Sequence, residues 1–307
     1  MDTKAFANLA ADQPFGPYQF VRRTPGPADV SIDIKYCGIC HSDIHTARSE
    51  WGPAFYPCVP GHEIVGVVSA IGAEVAGFKV GDAVGVGCLV DSCRTCSSCA
   101  SGLEQYCENG WTGTYNSKLA DGDYTKGGYS THIVVDQRFV LRVPSNLDLP
   151  AVAPLLCAGI TTYSPLKHVG VGKGDRVAIL GLGGLGHMGV KLAASFGAEV
   201  TVISRSEHKR ADAERLGAHK FLLSSDGAQI GSHANYFDYI LDTVSAPHDV
   251  AQALSMIKRE GTMLLVGASD KPLALETFPL IFNRRSIMGS LIGGLPQTQE
   301  MLDHCAK

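Results

Sequence analysis

The chain has 307 residues, 45% of them hydrophobic, with a mean hydropathy of +0.07; that length exceeds the usual reach of one core and predicts two domains. No window approaches the roughly 18 consecutive apolar residues of a membrane span, and Met1–Phe20 lack a basic region followed by an apolar core, so no secretory signal is read and a cytoplasmic location is expected. A net charge of -4 and a pI near 6.2 give no general attraction to nucleic acid or an anionic membrane, which leaves small molecules and copies of the chain itself as expected partners.

Ten cysteines in a chain without an export signal argue for metal or catalytic use rather than disulfides. Nine fall between Cys37 and Cys157 and the tenth is Cys305, which predicts a metal-bearing first half. Its first clear strand is Asp29–Tyr36, where Val30, Ile32, Ile34 and Tyr36 alternate with other residues. It leads into Cys37-Gly38-Ile39-Cys40-His41-Ser42-Asp43-Ile44-His45, followed later by Gly61-His62-Glu63. The Cys40 thiolate and His62 imidazole are ligand types that zinc prefers, and a third protein ligand would leave one tetrahedral position open for substrate. Taken alone, the same residues read equally well as small buried hydrophobes and a satisfied core histidine. Asp43 is a candidate to orient His62, because a metal-bound imidazole commonly needs a partner on its other nitrogen.

Further strands are expected at His62–Ile71, Asp82–Val86, Tyr129–Val135 and Phe139–Val143, giving a β-rich half with long loops. One of these loops carries Cys93, Cys96, Cys99 and Cys107, a C-x2-C-x2-C-x7-C spacing that can wrap one tetrahedral ion and leave no position for substrate. Free thiols and an iron–sulfur cluster are the alternatives; the long last gap and the lack of a proline after Cys107 weigh against the cluster. Cys157, at the head of a helix-like apolar stretch, is the candidate third ligand of the open site, although a cysteine among Leu and Ala is commonly plain core.

In the second half, the strand Asp175–Leu180 runs into Gly181-Leu182-Gly183-Gly184-Leu185-Gly186, then a helix over His187–Phe196 and a strand over Glu199–Ile203. This is G-x-G-x-x-G in the setting that gives it meaning: the glycines let the backbone approach a pyrophosphate at a helix N-terminus. Where an NAD site would carry Asp or Glu, this chain has Ser204-Arg205-Ser206 with Lys209 and Arg210 beyond. No carboxylate and added cations point to a 2′-phosphate and NADP(H); the bland reading of those cations is a solvated helix face. Strands at His219–Leu223, Phe237–Leu241, Thr262–Val266 and Ser286–Leu291, with helices at Glu207–Leu216, Asp249–Arg259 and Phe278–Arg284, predict a doubly wound parallel sheet. Asp242-Thr243 and Gly267 fall at its ligand-binding edge.

With these motifs in order over nearly the whole chain, the sequence resembles the zinc-dependent medium-chain alcohol dehydrogenases, and most closely their cinnamyl-alcohol-dehydrogenase-like, NADP(H)-dependent branch. The resemblance implies an α/β protein: a GroES-like, β-rich catalytic domain over residues 1–153, a Rossmann NADP-binding domain over 154–293, and at 294–307 the start of a segment returning to the catalytic domain. Family members continue well past the position of Lys307, so either the chain is a truncated form or its sequence continues beyond Lys307; if it ends there, activity and stability are expected below those of a full-length relative. By the same resemblance Cys40, His62 and Cys157 bind a catalytic zinc with Glu63 as an alternate ligand, and Cys93, Cys96, Cys99 and Cys107 hold a second, structural zinc. Ser42 and His45 look like the proton relay. Thr161, Gly181, Leu182, Gly183, Gly184, Leu185, Gly186, Ser204, Arg205, Lys209, Thr243, Gly267, Leu291, Ile292 and Gly293 occupy cofactor-contact positions.

The expected reaction is interconversion of aldehydes and primary alcohols with NADP(H), favouring reduction of aromatic or medium aliphatic aldehydes, by a homodimer joined through its nucleotide domains. Trp51, Cys88, Trp111 and Leu291 are candidates to line an apolar substrate pocket. The rivals are an NAD-dependent polyol or formaldehyde dehydrogenase and a catalytically silent protein that binds NADPH or stores zinc.

Overall fold

The computed structural model describes residues 1–269 and 271–307. They form two compact units, one of Met1–Ile160 with Ile292–Lys307 and the other of Thr161–Leu291.

The first unit opens with an antiparallel hairpin, β1 (Asp2–Ala7) and β2 (Gly16–Val21), which the sequence did not suggest. Alternate β1 residues turn inward, so that Ala5 and Ala7 pack with Val59. β3 (Asp29–Cys37), α1 (His41–Ala47), β4 (Ile64–Ile71) and β5 (Ala83–Val86) follow. A lobe of short pieces comes next: β6 (Leu89–Asp91), α2 (Ser97–Ala100), a 3-10 turn at Glu104–Tyr106 and β7 (Thr112–Gly113). β8 (His132–Asp136) and β9 (Leu141–Arg142) then complete an antiparallel sheet in the order β8-β3-β4-β5-β9. Val30, Ile32, Ile64, Val65, Val84 and Val86 are buried in it, each contributing about 1.5–3 kcal/mol of burial. The strand expected over Phe139–Val143 is cut to two residues. Asp136 accepts the N–H of Arg138 and curls Gln137–Phe139 into a 3-10 turn first. α3 (Leu149–Val152), a second 3-10 turn at Ala153–Leu156 and α4 (Ala158–His168) lead on; the division between the units falls inside α4.

The second unit is a six-stranded parallel sheet built from β10 (Arg176–Leu180), α5 (Gly184–Ser195), β11 (Glu199–Ser204), α6 (Arg210–Leu216), β12 (Lys220–Leu223), α7 (Gly227–Ser232), β13 (Phe237–Asp242), α8 (Val250–Met256), β14 (Ile257–Leu265), α9 (Phe278–Ile281) and β15 (Ser286–Gly289). The order β12-β11-β10-β13-β14-β15 reverses direction between β10 and β13, the switch point at which such sheets bind nucleotides. Its inner strands are nearly continuous apolar runs, as a sheet covered on both faces requires; Val200, Thr201, Val202, Ile203 and Ser204 of β11 are all buried. Gly217, at φ +109, ends α6 in the left-handed conformation, and Asp226 and Asp249 cap α7 and α8 through their carboxylates. The helix expected over Asp249–Arg259 stops at Met256. Ile257 already belongs to β14 and pairs with Phe237, and since Met256 and Ile257 are both buried the apolar pattern carries no mark of the change.

α10 (Leu295–Cys305) belongs to the first unit again. Glu104, in the lobe between β6 and β7, accepts the Leu295 N–H at 2.9 Å and so caps the helix. A Cβ on Gly294 would stand 1.8 Å from the Gly102 carbonyl, so the lobe and the helix start meet backbone to backbone. The Gln299 amide bonds to both the N–H and the carbonyl of Arg142, at 2.9 and 3.0 Å, in the place of a further strand beside β9. No single helix among the described residues is long and apolar enough to cross a membrane. The bent pair Leu149–Leu156 and Ala158–His168 has the length and composition, but its large apolar residues Val152, Leu156, Ile160, Tyr163 and Leu166 are buried in the protein.

Candidate active site

The site is assembled where β3 gives way to α1. Cys40 is the N-cap of that helix, and Asp43, in its first turn, turns back to accept the Cys40 N–H at 2.9 Å. The same carboxylate accepts the Gly61 N–H at 3.0 Å and the Tyr129 hydroxyl at 3.1 Å, and its Oδ1 lies 3.2 Å from Nδ1 of His62. Burial alone would raise Asp43, but the His62 contact and the two backbone N–H groups outweigh it and hold the carboxyl below its usual range. Asp43 therefore fixes His62 through Nδ1 and leaves Nε2 for a ligand bond. Gly61, at φ +105, is needed for this turn: a Cβ there would stand 2.7 Å from the Tyr129 ring and 2.8 Å from Cys37 Sγ. Gly38 is needed too, since its Cβ would fall 1.9 Å from Oε2 of Glu63.

Cys157, in the turn before α4, brings the third group. One ligand atom from each of Cys40, His62, Glu63 and Cys157 lies within 4.8 Å of the others. The sulfurs of Cys40 and Cys157 are 3.9 Å apart, against about 3.8 Å for the edge of a tetrahedron with zinc–sulfur bonds of about 2.3 Å. Hydrogen bonding to Cys157 and burial push Cys40 up. In Cys157 the bond with Cys40 acts downward but is outweighed by the bond with Cys88 and by burial. Burial likewise would lower His62, yet the sulfurs of Cys157 and Cys88 and the Asp43 bond hold it well above its ordinary value. Glu63 is pushed up to about 7 by burial. A pocket that favours a proton on its imidazole and resists bare thiolates is one that favours a cation, and two sulfurs with an imidazole fit zinc.

The second cluster is Cys93, Cys96, Cys99 and Cys107, whose sulfurs lie within 4.8 Å of one another, with 3.9 Å between Cys93 and Cys99. The Cys96 N–H donates to Cys93 Sγ and the Cys93 N–H to Cys107 Sγ, both at 3.4 Å. Hydrogen bonds led by the Thr95 N–H hold Cys93 well below the ordinary thiol range, whereas in Cys99 the Ser92 bond acts downward but is outweighed by burial and by the bonds with Cys96 and Cys107, which push it up to about 11; four sulfurs gathered at this spacing fit zinc.

In the second unit, Gly181–Gly186 turn from β10 into α5, and Thr243 at the end of β13 donates its hydroxyl to the Leu180 carbonyl at 2.9 Å. Ser204 ends β11, the exposed Arg205 follows it, and Lys209 reaches back to donate to the Leu182 carbonyl at 2.8 Å. Gly267 lies just beyond β14, with its N–H on the Asp242 carbonyl. Thr161 is buried in the first turn of α4. Leu291 ends the second unit. Ile292 and Gly293 pack in the first, where they line a small cavity with Ile160, Leu156 and Cys88.

Two family models match the chain: an alcohol dehydrogenase GroES-like domain over residues 26–145 and a zinc-binding dehydrogenase over 184–307. NADP-dependent alcohol dehydrogenase C 1 of Mycolicibacterium smegmatis is 53% identical over 304 residues, covering 99% of this chain and 87% of the relative. The chain belongs to the zinc-dependent medium-chain alcohol dehydrogenase family. Aldehyde reductase YahK of Escherichia coli is 53% identical over 310 residues, covering 100% of this chain and 88% of the relative. A cinnamyl alcohol dehydrogenase structure from Sorghum bicolor superposes with a TM-score of 0.96 at 46% identity, covering 100% of this chain and 88% of that one. As in that family, this dehydrogenase joins a GroES-like domain to a Rossmann domain and uses NADP(H).

Around the dehydrogenase's site Tyr115, Tyr129 and Glu50 belong to no motif in the sequence, while Trp51 and Cys88, the candidates for an apolar pocket, lie against His45 and the Leu156 carbonyl. The Tyr115 ring stacks on His62 with centroids 5.6 Å apart. Tyr129 reaches Asp43 from the approach to β8. Glu50 Oε2 lies 2.5 Å from Nδ1 of His45, and the Trp51 ring stacks on that imidazole at 4.6 Å. Cys88 donates to the Leu156 carbonyl at 3.7 Å, and its bond with Cys157 lowers it. Only the nearness of Glu50 and Trp51 to His45 in the chain could have been used as a hint.

Proposed function

We propose that this dehydrogenase reduces aromatic or medium aliphatic aldehydes with NADPH and carries out the reverse oxidation of primary alcohols. Cys40, His62 and Cys157 hold the catalytic zinc, and the four-cysteine loop holds the structural one. The observation that most supports this is the meeting of two thiols and an imidazole, from three distant parts of the chain, at tetrahedral spacing. When bound, zinc supplies a Lewis acid for the substrate oxygen and NADPH the hydride.

The protein's own residues do the rest. Asp43 holds His62 in one tautomer, and Glu63 stands by as a fourth ligand. In the reducing direction the substrate oxygen takes its proton from the Ser42 hydroxyl, 3.4 Å from Cys40 Sγ, and Ser42 is resupplied from His45 one turn further along α1, where Glu50 and Trp51 orient the imidazole at the solvent side; alcohol oxidation runs the same relay outward. The aromatic preference rests on the half-exposed Trp51 and on likeness to a cinnamyl alcohol dehydrogenase.

The NADP(H) preference rests at the residue level on Ser204, Arg205 and Lys209. The test is turnover on a panel of aldehydes with both cofactors. NADPH should support reduction well above NADH, and Arg205→Asp should raise the KM for NADPH by about tenfold or more by placing like charge beside the 2′-phosphate. Unchanged discrimination in Arg205→Asp would reject this account of the phosphate.

The working form is a cytoplasmic homodimer. None of the ten cysteines is in a disulfide, which suits a reducing compartment. β15 is an end strand of its sheet, and just before it Leu275, Phe278, Ile281 and Phe282 are 50%, 66%, 68% and 76% exposed. So many large apolar side chains beside a sheet edge make an association surface. Sedimentation should give twice the chain mass, and Phe278→Glu with Ile281→Glu should give the single chain; a double variant that stays dimeric would place the interface elsewhere.

A further inference from the structure

Asp242 ends β13 beside the glycine turn, is 1% exposed, and takes no part in the reaction outlined above. It holds two loops at once. Its carboxylate accepts the Val244 N–H at 3.0 Å, and its main-chain carbonyl accepts the N–H groups of Val266 and Gly267, each at 3.0 Å. The loop after β13 is tightly fitted. Thr243 donates both its N–H, at 3.0 Å, and its hydroxyl, at 2.9 Å, to the Leu180 carbonyl. A Cβ on Gly181 would stand 3.0 Å from both Thr243 Oγ1 and Val244 Cγ2, and one on Gly267 would fall 2.4 Å from the Val244 carbonyl. A small shift of Thr243 or Val244 would therefore reshape the turn that receives a pyrophosphate.

The other oxygen of Asp242 faces His248, whose Nε2 lies 2.8 Å from Oδ2. That nitrogen is buried and off the line of a hydrogen bond, so the contact is an ion pair rather than an aligned bond. Nδ1 of the same ring is 2.9 Å from the Ala246 carbonyl, which can only accept, so Nδ1 carries a proton. With Nδ1 committed to the Ala246 carbonyl, Nε2 is the ring nitrogen that faces the Asp242 carboxylate, and the two form an ion pair when the imidazole is charged. Burial raises Asp242 above the usual carboxylate range, in keeping with a group that needs this partner.

We propose that His248 is a positioning residue for the nucleotide: by pairing with Asp242 it locks Thr243 and Val244 against the glycine turn in the conformation that receives the cofactor. This inference rests on the NADP(H) reading given above. Both ring nitrogens of His248 face groups of the protein itself, Nε2 the Asp242 carboxylate and Nδ1 the Ala246 carbonyl, so the ring acts through Asp242.

The test is NADPH titration of the zinc-loaded protein without substrate, followed by nicotinamide fluorescence, for wild type, His248→Gln, Asp242→Asn and the double variant. His248→Gln should raise the Kd for NADPH about tenfold and shift the KM for NADPH in step while kcat changes far less, as expected when a buried charge loses its partner. Amide exchange should quicken at residues 243–249 and 266–267 and not across the rest of the sheet. His248→Lys, which restores a cation, should recover part of the affinity. In the Asp242→Asn background, His248→Gln should cost little more. A Kd for His248→Gln within about twofold of wild type, or a full additive loss in the double variant, would overturn the proposal. Wild-type protein that binds neither NADPH nor NADH would instead sink the cofactor reading and this inference with it.

Discussion

Replacing Cys40 with serine should abolish aldehyde turnover while leaving NADPH binding intact. Cys40 and Cys157 set the 3.9 Å edge of the open cluster, and a hydroxyl in place of one sulfur removes both a ligand and the negative charge that balances a divalent ion. Lewis acidity at such a site accounts for several kcal/mol of the barrier, so its loss lowers kcat by at least about a thousandfold. The variant should fold. Cys40 is the N-cap of α1, a position where serine is among the preferred residues, and Asp43 takes its hydrogen bond from the Cys40 backbone rather than from the sulfur. Elemental analysis should count one zinc per chain instead of two, and nucleotide titration should be unchanged. Turnover that survives with both metals in place would remove Cys40 from the ligand set.

The second large effect is expected at Cys107. Serine there breaks the four-sulfur cluster in a lobe whose regular elements are a three-residue strand, a four-residue helix, a three-residue 3-10 turn and a two-residue strand. Elements so short do not hold themselves, and a structural zinc contributes an apparent 10–16 kcal/mol or so, most of it spent on ordering the chain that binds it. A net loss of about 4 kcal/mol would lower the thermal midpoint by about 10 °C in a domain of this size. The loss should be local at first, with proteolysis and amide exchange concentrated between Ser92 and Gly113 and the catalytic zinc retained. A chelator that strips this site should reproduce the effect in the unaltered protein. A Cys107→Ser protein as stable as its parent would show that the loop holds no structural ion.

The two clusters differ in make-up, one joining two cysteines, a histidine and a glutamate and the other four cysteines, and much of that difference can be read from spacing. The short gaps among Cys93, Cys96 and Cys99 announce a single ion, and the strand, glycine turn and helix over Arg176–Ser195 announce a nucleotide. What could not be read is where partners come from far away in sequence. Tyr129 and Tyr115 reach Asp43 and His62 from the long connection between β7 and β8, and neither lies in a motif. The Asp242–His248 pair was likewise hidden, since a histidine six residues after a strand has no pattern of its own. Boundaries failed where two burial patterns run together, as at Met256 and Ile257, or where one side chain rewrote the local geometry, as Asp136 does ahead of β9. The β1–β2 hairpin passed unnoticed because its outward residues include Phe6 and Val21, which blur the alternation.

The cap that Glu104 places on α10 spans 191 positions of the chain, and it ties the timing of assembly to the order of synthesis. A polypeptide emerging from the ribosome has the whole of Thr161–Leu291 to complete before Leu295 can meet that carboxylate. The nucleotide-binding half, being contiguous, is free to fold as it appears, whereas the metal-bearing half waits with the rim of its lobe unsealed and the edge of β9 uncovered by Gln299. Closure of the first domain is thus a late, long-range event, and of the two halves it is the one exposed to thiol oxidation and stray strand pairing while the protein is being made.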